Sequence, residues 1–359
     1  MDAIVLVGGE GTRLRPLTYD IPKQMLPIVD RSMIEHVVGW LARHGIDRVV
    51  LSVGYRPDAF VEAFPEGELC GVRLAYAVEP EPLDTAGAVA FAAESASVRD
   101  TFLVLNGDVL TDFDLGSLLE FHRDRGGAAT IGLTPVADPS SFGVVPTDSE
   151  SRVTAFIEKP APGTAPTNLI NAGCYVLEPS VLELVPTGRR VSIERETFPA
   201  LAEHGVLYAL SSDAYWIDTG TPEKFVRASL DVLHGLRTAA SLPSVPESAR
   251  GAFVDPSALV LGRVGPATFV GRGALIAEGS EIADSVVSED AVVEAGARIS
   301  GSVVMAGARI GARAVLESSI VGPGADVGPS CNVSGFSVLG ARCNLEAGST
   351  LVAARFPSE

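Results

Sequence analysis

Gly8-Gly9-Glu10-Gly11-Thr12-Arg13-Leu14-Arg15-Pro16-Leu17-Thr18 follows at once on the apolar run Ala3 to Val7, with Pro22-Lys23 shortly beyond. The apolar run lacks a basic flank and turns directly into glycines, so it reads as a buried strand rather than a signal peptide. Three glycines without Cβ atoms let main-chain N–H groups approach a phosphate chain, and Arg13 and Lys23 supply positive charge. This is an anion cradle. It matches neither the G-x-x-x-x-G-K-[ST] loop nor the G-x-G-x-x-G dinucleotide fingerprint, which removes the main support for a kinase or a dehydrogenase.

Outward from the loop, β-rich apolar runs alternate with helical stretches to about residue 233. That pattern predicts an α/β fold, a Rossmann-like mixed, mainly parallel sheet covered on both faces. Arg48 to Val53 and Thr101 to Leu105 are the next strands. Between the first two strands a helix is expected from about Met33 to His44, opened by the Ser32 and Glu35 capping box and closed by Gly45. Met33, Val37, Trp40 and Leu41 recur at helical spacing, which makes Trp40, His36 and His44 packing or surface residues.

After Thr238 to Arg250, rich in Pro, Ser and Ala, the period changes. Aliphatic residues recur every six positions at Val264, Val270, Ile276 and Ile282, then at Val287, Val293 and Ile299, then at Val304, Ile310 and Leu316. The final series is Val321, Val327, Val333, Leu339, Leu345 and Leu351. Positions such as Val287, Val304 and Val321 therefore repeat every seventeen residues, one coil of a three-sided prism with one inward side chain per short strand. The expected division is 1–237 for the α/β domain, 238–251 for a linker and 252–359 for the coils.

The formal charge of −18 over 359 residues excludes non-specific binding to nucleic acid or acidic membranes, so any anionic substrate must be welcomed locally. No apolar run is long enough to span a bilayer. Cys70, Cys174, Cys331 and Cys343 show no metal or C-x-x-C spacing and read as reduced packing thiols of a cytoplasmic protein.

The string G-G-x-G-T-R-L-R-P-L-T with P-K following closely resembles the signature of the sugar nucleotide pyrophosphorylases. Further strings occur in that family's order: Leu105-Asn106-Gly107-Asp108, Phe142-Gly143-Val144-Val145, Glu158-Lys159-Pro160, Asn171-Ala172-Gly173, Ser192-Ile193-Glu194-Arg195-Glu196 and Trp216-Ile217-Asp218-Thr219-Gly220. The resemblance covers nearly the whole chain and is strongest to bacterial mannose-1-phosphate guanylyltransferases. The tail resembles the left-handed parallel β-helix of hexapeptide-repeat proteins, its handedness implied by that resemblance alone.

The resemblance implies transfer of GMP from GTP to mannose-1-phosphate, with Mg²⁺ held by Asp108 and Asp218. It implies catalytic roles for Arg13, Lys23 and Asp108, and nucleotide binding by Gly8, Gly9, Gly11, Thr12, Arg13, Glu79, Asp84, Thr85 and Gly87. Gly143, Glu158, Lys159 and Asn171 would hold the sugar phosphate, and a homo-oligomer is the expected assembly. Trp216 reads as a packing wall. Leu83-Asp84-Thr85-Ala86-Gly87 departs from the L-G-T-A-G common among guanylyltransferases, and Gln24 is shared with the thymidylyltransferase branch. The alternatives are therefore a glucose-1-phosphate thymidylyl- or uridylyltransferase, or a non-catalytic regulatory subunit. An acyltransferase role for the coils lacks its histidine base, since no histidine follows His234.

Overall fold

The computed structural model describes residues 1–237, 243–245, 247–248 and 251–358. Most of the expected linker over 238–251 falls outside the described residues. Internal contacts divide the chain into two units, one of Met1–Gly9 with Ile34–Trp216, the other of Glu10–Met33 with Ile217–Glu359.

The first unit is built on a ten-stranded mixed sheet. Strand Asp2–Leu6 lies at its centre, parallel to Arg48–Val53 on one side and to Phe102–Asn106 on the other. Val72–Val78 extends the parallel run. Leu169–Leu177 then runs antiparallel against both Phe102–Asn106 and Ala129–Pro135. Ile4, Val5, Val50, Leu51, Leu103 and Val104 are all fully buried, as expected of central strands covered on two faces. Helix Met33–Arg43 forms where its spacing predicts, with Gly45 at φ +74° beyond it. Trp40 is a buried packing residue whose Nε1 donates to the Phe113 carbonyl at 3.2 Å, and His44 packs edge-on against its ring.

In the second unit the chain winds into three parallel sheets of seven, six and six strands, which confirms the β-helix. Each six-residue series winds round the three faces of the prism, and its seventeen-residue repeats stack as columns. Val270, Val287, Val304, Val321, Leu339 and Phe356 stack in register on one face. Ile276, Val293, Ile310, Val327 and Leu345 form the second column, and Val264 through Leu351 the third. The inward columns merge into one dry core in which Val287, Val304, Ile310 and Leu316 are inaccessible to solvent.

One corner carries a second column that the aliphatic period does not reveal. Thr268, Ser285, Ser302, Ser319 and Ser337 each precede an inward residue by two positions and are fully buried. Ser285 Oγ donates to the Ala283 carbonyl and accepts from Ser302 N; Ser302 Oγ donates to Ser300 and accepts from Ser319 N. Hydroxyls thus satisfy main-chain groups that the turn removes from the ladders.

The four cysteines are free thiols. Cys174 and Cys331 are packing residues, whereas Cys70 is exposed on a turn at φ +52°, contrary to the packing role expected of it. Burial pushes the Cys174 thiol up to about 12, so it stays protonated. Among the described residues no helix is long and apolar enough to cross a membrane.

Ser302→Ala should leave Ser319 N–H buried without an acceptor and cost about 1–3 kcal/mol. Ser302→Thr, the residue type already present at Thr268 on the same column, should cost less. Denaturant titration of the two variants checks the order.

Candidate functional site

The cradle begins in the first unit. Gly8 lies so close to Gly54 that an added Cβ would sit 3.2 Å from the Gly54 nitrogen, a tight fit against main chain. Gly9 faces open space. In the second unit Gly11 adopts φ +64°, and a Cβ there would press on Thr18 and Lys23 at 3.0 Å. Thr18 Oγ1 donates to the Gly11 carbonyl at 2.9 Å, closing the loop, while Thr12–Leu14 makes a single tight turn. The Thr12 and Arg13 side chains are exposed.

The electrostatic centre of this unit is Asp218, last residue of strand Trp216–Asp218. Its carboxylate lies 3.9 Å from Arg13 Nη2, 3.9 Å from Lys23 Nζ and 4.0 Å from Lys224 Nζ. Gly220 N donates to Asp218 Oδ1 at 2.8 Å. An added Cβ on Gly220 would come within 2.3 Å of Arg13 Nη2, so the glycine makes room for the guanidinium. Lys23 is only 4 % exposed, a buried cation in an acidic chain. The adjacent Gln24 is buried too, and its Oε1 has no hydrogen-bond partner. Lys224 carries no mark in the sequence beyond its position in the first turn of helix Pro222–Leu233, capped by Thr221; it is a member of the cluster that sequence reasoning missed.

Within the first unit, Asp108 follows strand Phe102–Asn106 at its carboxyl end, half-buried, where Gly107 N is tied to the Leu6 carbonyl. The segment expected to face a base is more constrained than its composition suggests. Glu79 accepts from Ser52 Oγ and from Leu83 N, both at 3.1 Å. Asp84 stands exposed at φ +61° with Oδ1 accepting from Thr85 N. Thr85 Oγ1 donates to Glu194 Oε2 at 2.7 Å and accepts from Ile193 N at 2.8 Å. Gly87 N bonds the Val191 carbonyl, and a Cβ on Gly87 would meet Leu83 at 2.9 Å. The start of helix Asp84–Ser95 is therefore clamped by Thr85 to the π-turn Ile193–Thr197 and by the Ala86 and Gly87 N–H groups to Val191 just before it.

The expected sugar-phosphate residues also gather in this unit. Gly143 pairs with Glu158 across antiparallel strands, and a Cβ there would strike the Phe156 ring at 2.6 Å. Lys159, exposed at φ +48°, lies 3.4 Å from Glu158 Oε1. A bulge between Asn171 and Tyr175 turns Asn171 so that its Oδ1 accepts from Gly173 N and its Nδ2 donates to the Tyr175 hydroxyl at 2.8 Å. Burial, and then the Glu194 carboxylate, hold that phenol well above its ordinary range. Glu194, to which the sequence strings assigned no role, thus links the Thr85 clamp with the Tyr175–Asn171 pair. Trp216 is a packing wall: its Nε1 donates to the Ala172 carbonyl at 2.8 Å and its ring meets Phe142 edge-on.

The description "Nucleotidyl transferase" matches residues 2–235, and "GMPPB C-terminal domain" matches residues 264–356. Mannose-1-phosphate guanylyltransferase of Mycobacterium tuberculosis is 44% identical over 292 residues, covering 80% of this chain and 79% of that protein. The enzyme of the same kind from Yarrowia lipolytica is 40% identical over 72% of this chain and 73% of that one. Among solved structures, HddC from Yersinia pseudotuberculosis is 29% identical and superposes with a TM-score of 0.56 over 64% of this chain and 97% of that chain. The same protein complexed with GMP-PN gives 0.55.

Thr85→Val keeps shape but leaves Ile193 N–H without its acceptor and strips Glu194 of one of two hydroxyl donors, that of Ser192 remaining. A loss of about 1–3 kcal/mol is expected in denaturant unfolding.

Proposed function

Since this chain belongs to the nucleotidyl transferase family, we propose that it transfers GMP from GTP to mannose-1-phosphate, giving GDP-mannose and pyrophosphate. One observation carries the reading: Asp218 gathers Arg13, Lys23 and Lys224 within 4.0 Å, a local reserve of positive charge beside the glycine loop of a chain of net charge −18. The relatives named mannose-1-phosphate guanylyltransferase supply the substrate pair. In this reading residues 1–237 are the catalytic domain, 238–251 a linker and 252–359 an assembly domain of a cytoplasmic homo-oligomer.

In the proposed reaction a phosphate oxygen of mannose-1-phosphate forms a bond to the α-phosphorus of GTP while the bond from that phosphorus to the β-phosphate bridge breaks. Pyrophosphate leaves with the electron pair. The attacking oxygen is already anionic, so no base is needed, and positioning with charge neutralisation carries the rate. Arg13 and Lys23 take up charge on the transferred and leaving phosphates, with main-chain N–H groups of Gly8, Gly9, Gly11 and Thr12 beside them. Lys159 holds the sugar phosphate, while Gly143, Glu158 and Asn171 meet sugar hydroxyls. For the base, Glu79 and Asp84 offer carboxylate acceptors to guanine N1–H and its amino group; Glu79 retains lone pairs beyond those given to Ser52 and Leu83. Thr85 and Gly87 hold the helix start in place beneath the base.

Asp108 and Asp218 each present a carboxylate, the hard oxygen donor that suits Mg²⁺. Asp218 fits the role: its contacts with the three cations lie at 3.9–4.0 Å rather than at hydrogen-bonding distance. When bound, Mg²⁺ would neutralise phosphate charge.

A pyrophosphate-release assay crossing GTP, dTTP, UTP and ATP with mannose-1-phosphate and glucose-1-phosphate tests the assignment; best turnover with any other pair, or none, overturns it. Asp108→Asn and Asp218→Asn should lower kcat by orders of magnitude without loss of fold by circular dichroism. Asp84→Gly relieves a left-handed backbone, so its melting temperature should stay close to that of the parent, while its GTP to dTTP preference falls.

A further inference from the structure

The cradle has a second side. Within the second unit the residues after Gly11 pack onto the last coil. The Pro16 ring lies against Gly340, where an added Cβ would sit 3.0 Å from Pro16 Cγ, and Arg342 Nη2 pairs with Asp20 at 3.1 Å. Beside this contact is a cavity of about 220 Å³ lined by Thr12, Arg15, Pro16, Tyr19, Arg355 and Pro357. We propose that this cavity, behind the glycine loop, is a binding site for a small inorganic oxyanion of the phosphate or diphosphate class.

Its lining holds two guanidiniums and two hydroxyls but no carboxylate. Arg15 arches over the Tyr19 ring, 5.2 Å from its centre, and pairs with exposed Glu10 at 2.9 Å, a solvent-screened contact that an anion can displace. Arg355 is the more telling member. It is exposed to solvent at the cavity wall, its hydrogen bonds run to the main-chain carbonyls of Phe336 and Ala354, and among the described residues no carboxylate pairs with it. Partial desolvation against the cavity wall draws its pKa below the usual arginine value. An oxyanion with several acceptor oxygens would satisfy both guanidiniums together. The volume falls below the range typical of organic-ligand pockets, which favours one or two phosphoryl groups over a nucleotide. The occupant would touch Thr12, the neighbour of Arg13, so filling the cavity loads the cradle from behind. That the occupant is pyrophosphate released by the enzyme rests on the proposed function; that the cavity takes an oxyanion does not.

The test is arginine labelling of the full chain by phenylglyoxal, read residue by residue by mass spectrometry, without divalent metal, in separate titrations of inorganic phosphate and inorganic pyrophosphate. Labelling of Arg15 and Arg355 should slow several-fold and in parallel, while Arg342 and Arg263 are unchanged. Protection by pyrophosphate at lower concentration points to the reaction product, and protection by phosphate at lower concentration to the free ion; either supports the site. Arg355→Gln, with its fold confirmed by circular dichroism, should weaken pyrophosphate protection of Arg15 about tenfold. Unchanged labelling of Arg355 in the parent protein, equal protection of Arg342, or undiminished protection of Arg15 in Arg355→Gln would each overturn the proposal. Labelling requires no turnover, so a failed guanylyltransferase assay would leave its outcome standing.

Discussion

One carboxylate, Asp218, gathers three cations within 4.0 Å. Arg13, Lys23 and Lys224 would repel one another if gathered without a counter-charge, and Lys23 is buried. The attraction to Asp218 is screened by solvent at exposed Arg13 and least screened at buried Lys23. Asp218 supplies the opposing sign and draws its own rigidity from the Gly220 N–H.

The cluster's members come from distant stretches, which explains the grouping of Glu10–Met33 with Ile217–Glu359. The loop that carries Arg13 and Lys23 is short of regular structure, and its order comes from what it leans on. Leu14, Leu17 and Thr18 are buried, and Pro16 presses on Gly340 of the coils. The β-helix is thereby more than an appended tail; its last turn backs the loop that the sequence singles out first.

Much of this was legible in the residues. The aliphatic columns of the prism are the seventeen-residue repeats of the sequence pattern, because a repeating coil forces each inward side chain to the same place in every turn. The central strands and the first helix were equally readable, since burial imposes their periods. Interactions that depend on approach through space were not. Lys224 is an ordinary helical lysine until Asp218 comes near, and Glu194 gains meaning only against Thr85. Thr85 and Gly87 follow a family string, yet a string cannot tell that their hydrogen bonds tie down a helix start. Cys70 was misjudged because composition says nothing of which turn faces outward. The corner hydroxyls escaped notice because serine carries no hydrophobic signal.

Those corner hydroxyls also set a rule of growth for the prism. Each coil hands its hydrogen bonds to the next through Ser285, Ser302 and Ser319, so the structure behaves as a stack of identical floors joined by one stairwell. The pairings of Val264 with Ile282 and of Val333 with Leu351 span eighteen residues instead of seventeen, the surplus residue being absorbed next to that stairwell. A change by whole coils keeps the inward and outward faces of each strand in phase. A residue inserted along a wall would instead turn the inward face of that strand toward solvent.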